Sequence, residues 1–210
     1  MVTKKRLLAG LAGVIFGLIS LGTHAAKGLT YSYGELGYAN LDSDDVDAEG
    51  AKALISFGAT DYIHVKFEYT RFDGANVTRR HFFGKKTLDV DIDRFIMGAG
   101  GNYTVLEKAS VFDVVDVFGT LSFHDAENSG DNNNSERGYQ VDGGVRALLS
   151  KNLELNANAT YLHIDNFNGE TGFGGGVVYK FYKKFSATGN IRHFSQDDTT
   201  EYFAGLRLNF

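Results

Sequence analysis

The strongest constraint on this chain is an alternation of apolar and polar residues with period two, repeated in short segments along nearly its whole length. Over residues 62–71, Ile63, Val65, Phe67 and Tyr69 fall on one face, with His64, Lys66, Glu68 and Thr70 on the other. Residues 139–149 repeat this, setting Tyr139, Val141, Val145 and Ala147 against Gln140, Asp142 and Arg146. So do residues 153–161, where Leu153, Leu155, Ala157 and Tyr161 oppose Glu154, Asn156, Asn158 and Thr160. That period belongs to strands, whose successive side chains point to opposite faces. The chain has no Pro to interrupt a hydrogen-bond ladder, and it is rich in Gly (26), Phe (17) and Tyr (11). It has no Cys, so disulfides, thiolate metal sites and Cys nucleophiles are all excluded. A formal charge of −5 argues against a nucleic-acid binder. The expected class is all-β.

The first 25 residues follow a different rule. Lys4, Lys5 and Arg6 form a basic start, Leu7 to Leu21 an apolar stretch, and Thr23 and Ala25 supply small residues for a cleavage site. The apolar run is shorter than the roughly 20 residues a helical span needs. Residues 1–25 are therefore expected to be a cleaved signal peptide, with Ala26 an alternative last residue. Residues 26–210 are expected to form a single exported domain.

Ten strands are predicted, at about 28–40, 50–59, 62–71, 88–103, 109–124, 138–149, 153–164, 171–181, 185–195 and 201–210. Their connections alternate. Short turns such as Thr60-Asp61 and Ser150–Asn152 take turns with mostly longer polar segments: Leu41–Glu49, Phe72–Thr87, Asp125–Arg137, Asn166–Glu170 and Gln196–Thr200. An even number of strands of about 9–11 residues or slightly more, with short turns on one side and long loops on the other, predicts a transmembrane antiparallel up-and-down β-barrel, with eight strands as the alternative. Alternation alone does not say which face is apolar outward. Export does, and so do aromatics near the strand ends: Tyr69, Phe123, Tyr139, Tyr161 and Phe173 toward the loops, Tyr179, Phe181, Phe185 and Phe210 toward the turns. The expected location is the outer membrane of a Gram-negative envelope, with both termini periplasmic. Two strands strain the pattern. Tyr31 and Tyr33 point inward if Glu35 does, and Val90 and Ile92 are out of phase with Phe95, Met97 and Ala99, which predicts a bulge near Asp93-Arg94.

The ending, Tyr202-Phe-Ala-Gly205-Leu-Arg-Leu208-Asn-Phe210, resembles the C-terminal signal read by the barrel-assembly machinery, with Gly205, Leu208 and Phe210 at its spacing and Phe203 where that pattern prefers a polar residue. The chain also resembles small OmpX-type barrels, and more closely the diffusible-signal-regulated outer-membrane proteins of gamma-proteobacteria. The residues carrying this are Tyr31-Ser-Tyr33-Gly-Glu35-Leu-Gly37-Tyr38, Asp93-Arg94-Phe-Ile-Met-Gly98-Ala-Gly100-Gly-Asn-Tyr103, Gly138-Tyr139-Gln-Val-Asp-Gly-Gly-Val145-Arg146 and the ending from Glu201. The resemblance implies fold and location. It implies no shared catalytic site.

The inward set is expected to hold Lys52, Lys66, Arg146, Lys180, Arg192 and Arg207 against Glu35, Glu68, Asp116, Asp142 and Glu154. Charges so nearly balanced in a narrow barrel favour pairing, and hence a plugged lumen, over an ion-selective channel. The expected function is non-enzymatic: envelope integrity, adhesion or surface binding through the loops. A narrow passive pore is the alternative, and a lipid A-modifying enzyme the third. The enzyme reading rests on His193, Ser195 and Glu201, which could form a nucleophilic set and are similar to the His-x-Ser motif of lipid A deacylases, with Gln196 a departure. Arg79, Arg80, Lys85 and Lys86 are candidates for contact with lipopolysaccharide phosphates. The acidic run Asp42–Asp47 lacks EF-hand spacing, and no metal or cofactor is expected. A monomer is expected.

Overall fold

The computed structural model describes residues 29–43, 46–81, 84–108, 111–129, 134–165 and 169–210, with side chains described at all of these except 75–90, 129 and 134. The expected signal peptide lies outside the described residues. Ten strands follow in order: β1 (Tyr33–Asp42), β2 (Val46–Gly58), β3 (Ile63–His81), β4 (Gly84–Glu107), β5 (Val114–Ser129), β6 (Asn134–Ser150), β7 (Leu153–Ile164), β8 (Glu170–Tyr182), β9 (Phe185–Phe194) and β10 (Thr199–Asn209). Each pairs antiparallel with its neighbour in sequence, and β1 closes the ring on β10, from Tyr33 opposite Asn209 to Asp42 opposite Thr200. Closure leaves no sheet edge within the barrel wall, as a sheet surrounded by lipid requires.

The faces are inverted relative to a soluble protein. Glu35, Lys52, Glu68, Asp142, Arg146, Glu154 and Arg207 are buried inside, whereas Leu36, Leu121, Phe173 and Leu206 stand 58–66% exposed on the outer wall. Exposed aromatics gather in two belts. Tyr139, 6.3 Å from Tyr161 and 5.1 Å from His163, belongs to the belt nearer the loops, and Tyr179, Phe181 and Phe185 to the one nearer the turns.

At the long-loop end the strands run further than the alternation predicts. β1 and β2 leave only residues 43–45 between them, and most of the expected second loop is paired strand, with β3 and β4 matched up to His81 opposite Gly84. Because β5 pairs with β4 only as far as Asp91 opposite Ser129, Gly84–Val90 extend beyond it. At about 3.4 Å per residue this hairpin projects roughly 20 Å past its neighbour.

The irregularity expected at Asp93-Arg94 lies elsewhere. β4 stays in register with β5 from Asp91 to Thr104, and the slip falls on β3, between Phe72 and Ala75, where Gly74 takes a φ of 66°. That left-handed conformation suits glycine. Ile92 is out of phase with the lipid-facing residues because it belongs to the inner face. There Ala39, Ala48, Phe72 and Phe203 form an apolar cluster inside the barrel, with Leu41, Val46 and Ile92 packed against it.

Candidate functional site

Among the described residues, the lumen is where the fold concentrates charge away from bulk water, and it is organised in tiers from the turn end to the loop end. In the first tier, Arg146 Nε donates to Glu154 at 2.7 Å and Arg207 Nε donates to Glu35 at 2.7 Å. Arg207 also approaches the second oxygen of Glu154 at 3.6 Å, which links the two pairs. The tyrosines that strain the first strand fit here, because Arg207 lies 4.0 Å over the Tyr33 ring and Arg146 lies 4.4 Å over the Tyr31 ring.

In the middle tier Lys66 Nζ donates to Asp142 at 3.0 Å, and the same carboxylate accepts from Gln140 Nε2 at 2.9 Å and Thr160 Oγ1 at 2.7 Å. Nearer the turn end, level with Arg146, Asp116 is fully buried and accepts from Thr104 Oγ1 at 2.7 Å.

The third tier is a ring of two cations and two anions. Lys52 Nζ lies 3.0 Å from Glu68 and 3.2 Å from Glu201. Arg94 Nη2 lies 2.7 Å from Glu201 and 3.6 Å from Glu68. The two cations also face the rings of the apolar cluster, Lys52 at 5.3 Å from Phe203 and Arg94 at 5.6 Å from Phe72. Between the tiers a polar cavity of about 160 Å³ remains, with Asn156, Asn158, Asn190 and Arg192 along one wall.

Glu35, Lys52, Lys66, Glu68, Asp142, Arg146, Glu154 and Arg207 join the tiers, and Asp116 binds Thr104. Arg192 lines the cavity, and Lys180 sits half-buried on the inner face of β8; neither makes a direct ion pair among the described residues. Sequence reasoning missed Arg94 and missed Glu201 as a lumen group. Both have the parity of inward neighbours, Arg94 with Ile96 and Glu201 with Phe203 and Arg207, and that parity was the available signal. They add one charge of each sign, so the balance stands.

The set His193, Ser195 and Glu201 does not assemble. His193 is exposed, with Nδ1 3.1 Å from Thr200 Oγ1 and Nε2 3.8 Å from Asp198, and Ser195 is exposed beyond the end of β9. Glu201 is committed to the lumen ring on the opposite face. Arg79 is registered opposite Lys86, and Arg80 opposite Lys85, on the projecting hairpin; their side chains lie outside the described residues. Gly205 is paired with Gly37 at the seam, Leu208 is exposed on the outer wall, and the Phe210 ring lies 6.4 Å from Phe57.

A closed antiparallel barrel with ion pairs inside and apolar side chains outside defines an outer-membrane β-barrel. The outer membrane protein beta-barrel domain family matches residues 11–181, and the chain belongs to that family. No curated protein matches it significantly. Among solved structures it is similar to the NanC porin (7% identity, TM-score 0.52, covering 85% of this chain and 100% of that one). It is also similar to the β domain of the Bordetella autotransporter BrkA (12%, 0.53, 85% and 98%) and to OprG from Pseudomonas aeruginosa (13%, 0.47, 85% and 94%). For NanC and BrkA, at these identities, the likeness is one of fold.

Proposed function

We propose that the protein is a non-enzymatic surface protein of the outer membrane, whose barrel is a closed anchor and whose loops make the functional contacts in adhesion or envelope integrity. The carrying observation is the lumen: three tiers of paired charge, with the apolar cluster of Ala39, Ala48, Phe72 and Phe203 beside the last of them. Charges confined in a narrow barrel are stable when partnered, and partnered charges fill space that a porin of 16 or more strands leaves to water.

The projecting β3–β4 hairpin is the contact element of this reading, and lipopolysaccharide phosphates are the ligand proposed for Arg79, Arg80, Lys85 and Lys86. Two like-charged pairs directly opposite one another repel, and an anion between or beside them would relieve that repulsion. Residues 1–25 are proposed as the export signal, and Gly205, Leu208 and Phe210 as the contact with the assembly machinery of a monomeric barrel. Within the family, the residues around Tyr31, Asp93, Gly138 and Glu201 support a place near the diffusible-signal-regulated proteins. Replacing residues 75–90 by an Asn-Gly turn tests the reading. The expected result is an intact barrel, with its heat-dependent gel shift unchanged, in cells that lose surface attachment or detergent resistance. Unchanged cells would refute the role of the hairpin.

One observation favours a second reading, a narrow passive pore: the polar cavity between the tiers, with Arg192 on its wall and no direct ion pair to hold it among the described residues.

A further inference from the structure

The segment just before β1 reaches across the turn end of the lumen, a contact that neither the alternation pattern nor the barrel ladder requires. Leu29–Ser32 precede β1, and Leu29 is only 1% exposed. The Thr30 carbonyl accepts a hydrogen bond from Arg146 Nη1 at 3.1 Å, and the Tyr31 ring stacks on His64 at 4.9 Å beneath the Arg146 guanidinium. Arg146 projects from β6, which lies diametrically opposite β1 in the ring of ten strands. The contact therefore spans the lumen instead of following its wall. The wall-side bonds fall just behind it: Ser56 Oγ donates to the Tyr31 carbonyl at 2.8 Å, Ser32 Oγ accepts from the Gly58 backbone N–H at 3.1 Å, and the Phe210 N–H donates to the Ser32 carbonyl at 3.1 Å.

This is the construction of a hinged strap, pinned to the wall at the Tyr31 carbonyl and Ser32 and held across the mouth, among the described residues, by the Arg146 guanidinium and the stack on His64. Releasing it breaks no strand pair. We propose that Leu29–Tyr31 is a gate: seated against Arg146 and His64 it closes the lumen, and released it opens the polar cavity to the turn end as a narrow pore. The inference rests on the closed-lumen reading and adds the part that does the closing.

The chain has no Cys, so a single introduced thiol reports on the strap without background. The test uses protein purified from outer membranes and a charged maleimide, with Leu29→Cys as probe. Val111→Cys, at a position 63% exposed between β4 and β5, is the open reference. Leu29→Cys is expected to react at least about tenfold more slowly, as a site reached only by local opening does. Adding Tyr31→Ala, which removes the stack and no charge, should bring the two rates together. In a bilayer, Tyr31→Ala should give conductance steps where the unmodified protein gives none. Should Tyr31→Ala fail to fold, judged by loss of its heat-dependent gel shift, Arg146→Lys weakens the same hold while keeping a cation beside Glu154. Equal reactivity of Leu29→Cys and Val111→Cys in a silent parent would overturn the strap alone. A freed Leu29→Cys in a variant that stays silent would overturn the gating. Steps from the unmodified protein would overturn the closed-lumen reading itself, and the gate with it.

Discussion

Glu201 touches both cations of its ring at close range, while Glu68 stands 3.0 Å from Lys52 but 3.6 Å from Arg94. Removing Glu201 leaves the two buried positive charges to share Glu68 alone, which lies 3.6 Å from Arg94. Glu201→Ala is therefore expected to cost about 3–5 kcal/mol, read as a lower urea midpoint for the refolded barrel in detergent. A second residue-scale constraint lies at the seam. A Cβ on Gly37 would stand 2.2 Å from the Ala204 carbonyl oxygen and 2.8 Å from the Phe203 ring, so the backbones of β1 and β10 would have to part. Gly37→Ala is expected to lose about 1–3 kcal/mol in the same assay. Phe203 packs inside, beside Gly37 and Lys52, which accounts for an aromatic at a position where the proposed C-terminal signal prefers a polar group.

At the scale of the strands, the period-two pattern works where one face meets lipid and the other meets charge, because only then do the two faces differ in composition. β7 and the first half of β3 are of this kind, and there the alternation reads correctly. It misleads where the inner face is itself apolar. Ile92 and Phe72 look lipid-facing by type and sit inside by position, and the phase change is taken up at Gly74 of the neighbouring strand instead of at Asp93-Arg94. Polar composition likewise disguises the outer ends of β3 and β4, because a run without regular apolar alternation reads as loop even where it pairs. The candidate site was legible as a set of inward charges. Which charge meets which was not, because pairs such as Arg94 with Glu201 join strands far apart in sequence. The outer face carries its own prediction. Leu121 stands 61% exposed near the middle of β5, and in lipid Leu121→Arg should destabilise the barrel by about 2–4 kcal/mol. In a protein facing water the same change would be nearly neutral, so the unfolding midpoint of this variant in bilayers reports what surrounds the wall.

At the scale of the molecule, the barrel separates two roles. The wall encloses an internally paired lumen, with Leu29–Tyr31 held across its turn end and the apolar cluster lining its loop end. The hairpin of β3 and β4 carries the chain outward, past the ladder that holds it. If the lumen is closed, activity belongs to the surface elements; if it is open, the same charges become the selectivity elements of a pore. Single-channel recording of the purified protein in a planar bilayer decides between them. Silence from protein that shows its heat-dependent gel shift is the predicted result. Uniform conductance steps, altered in ion selectivity by Glu68→Ala or Arg146→Ala, would contradict the closed anchor.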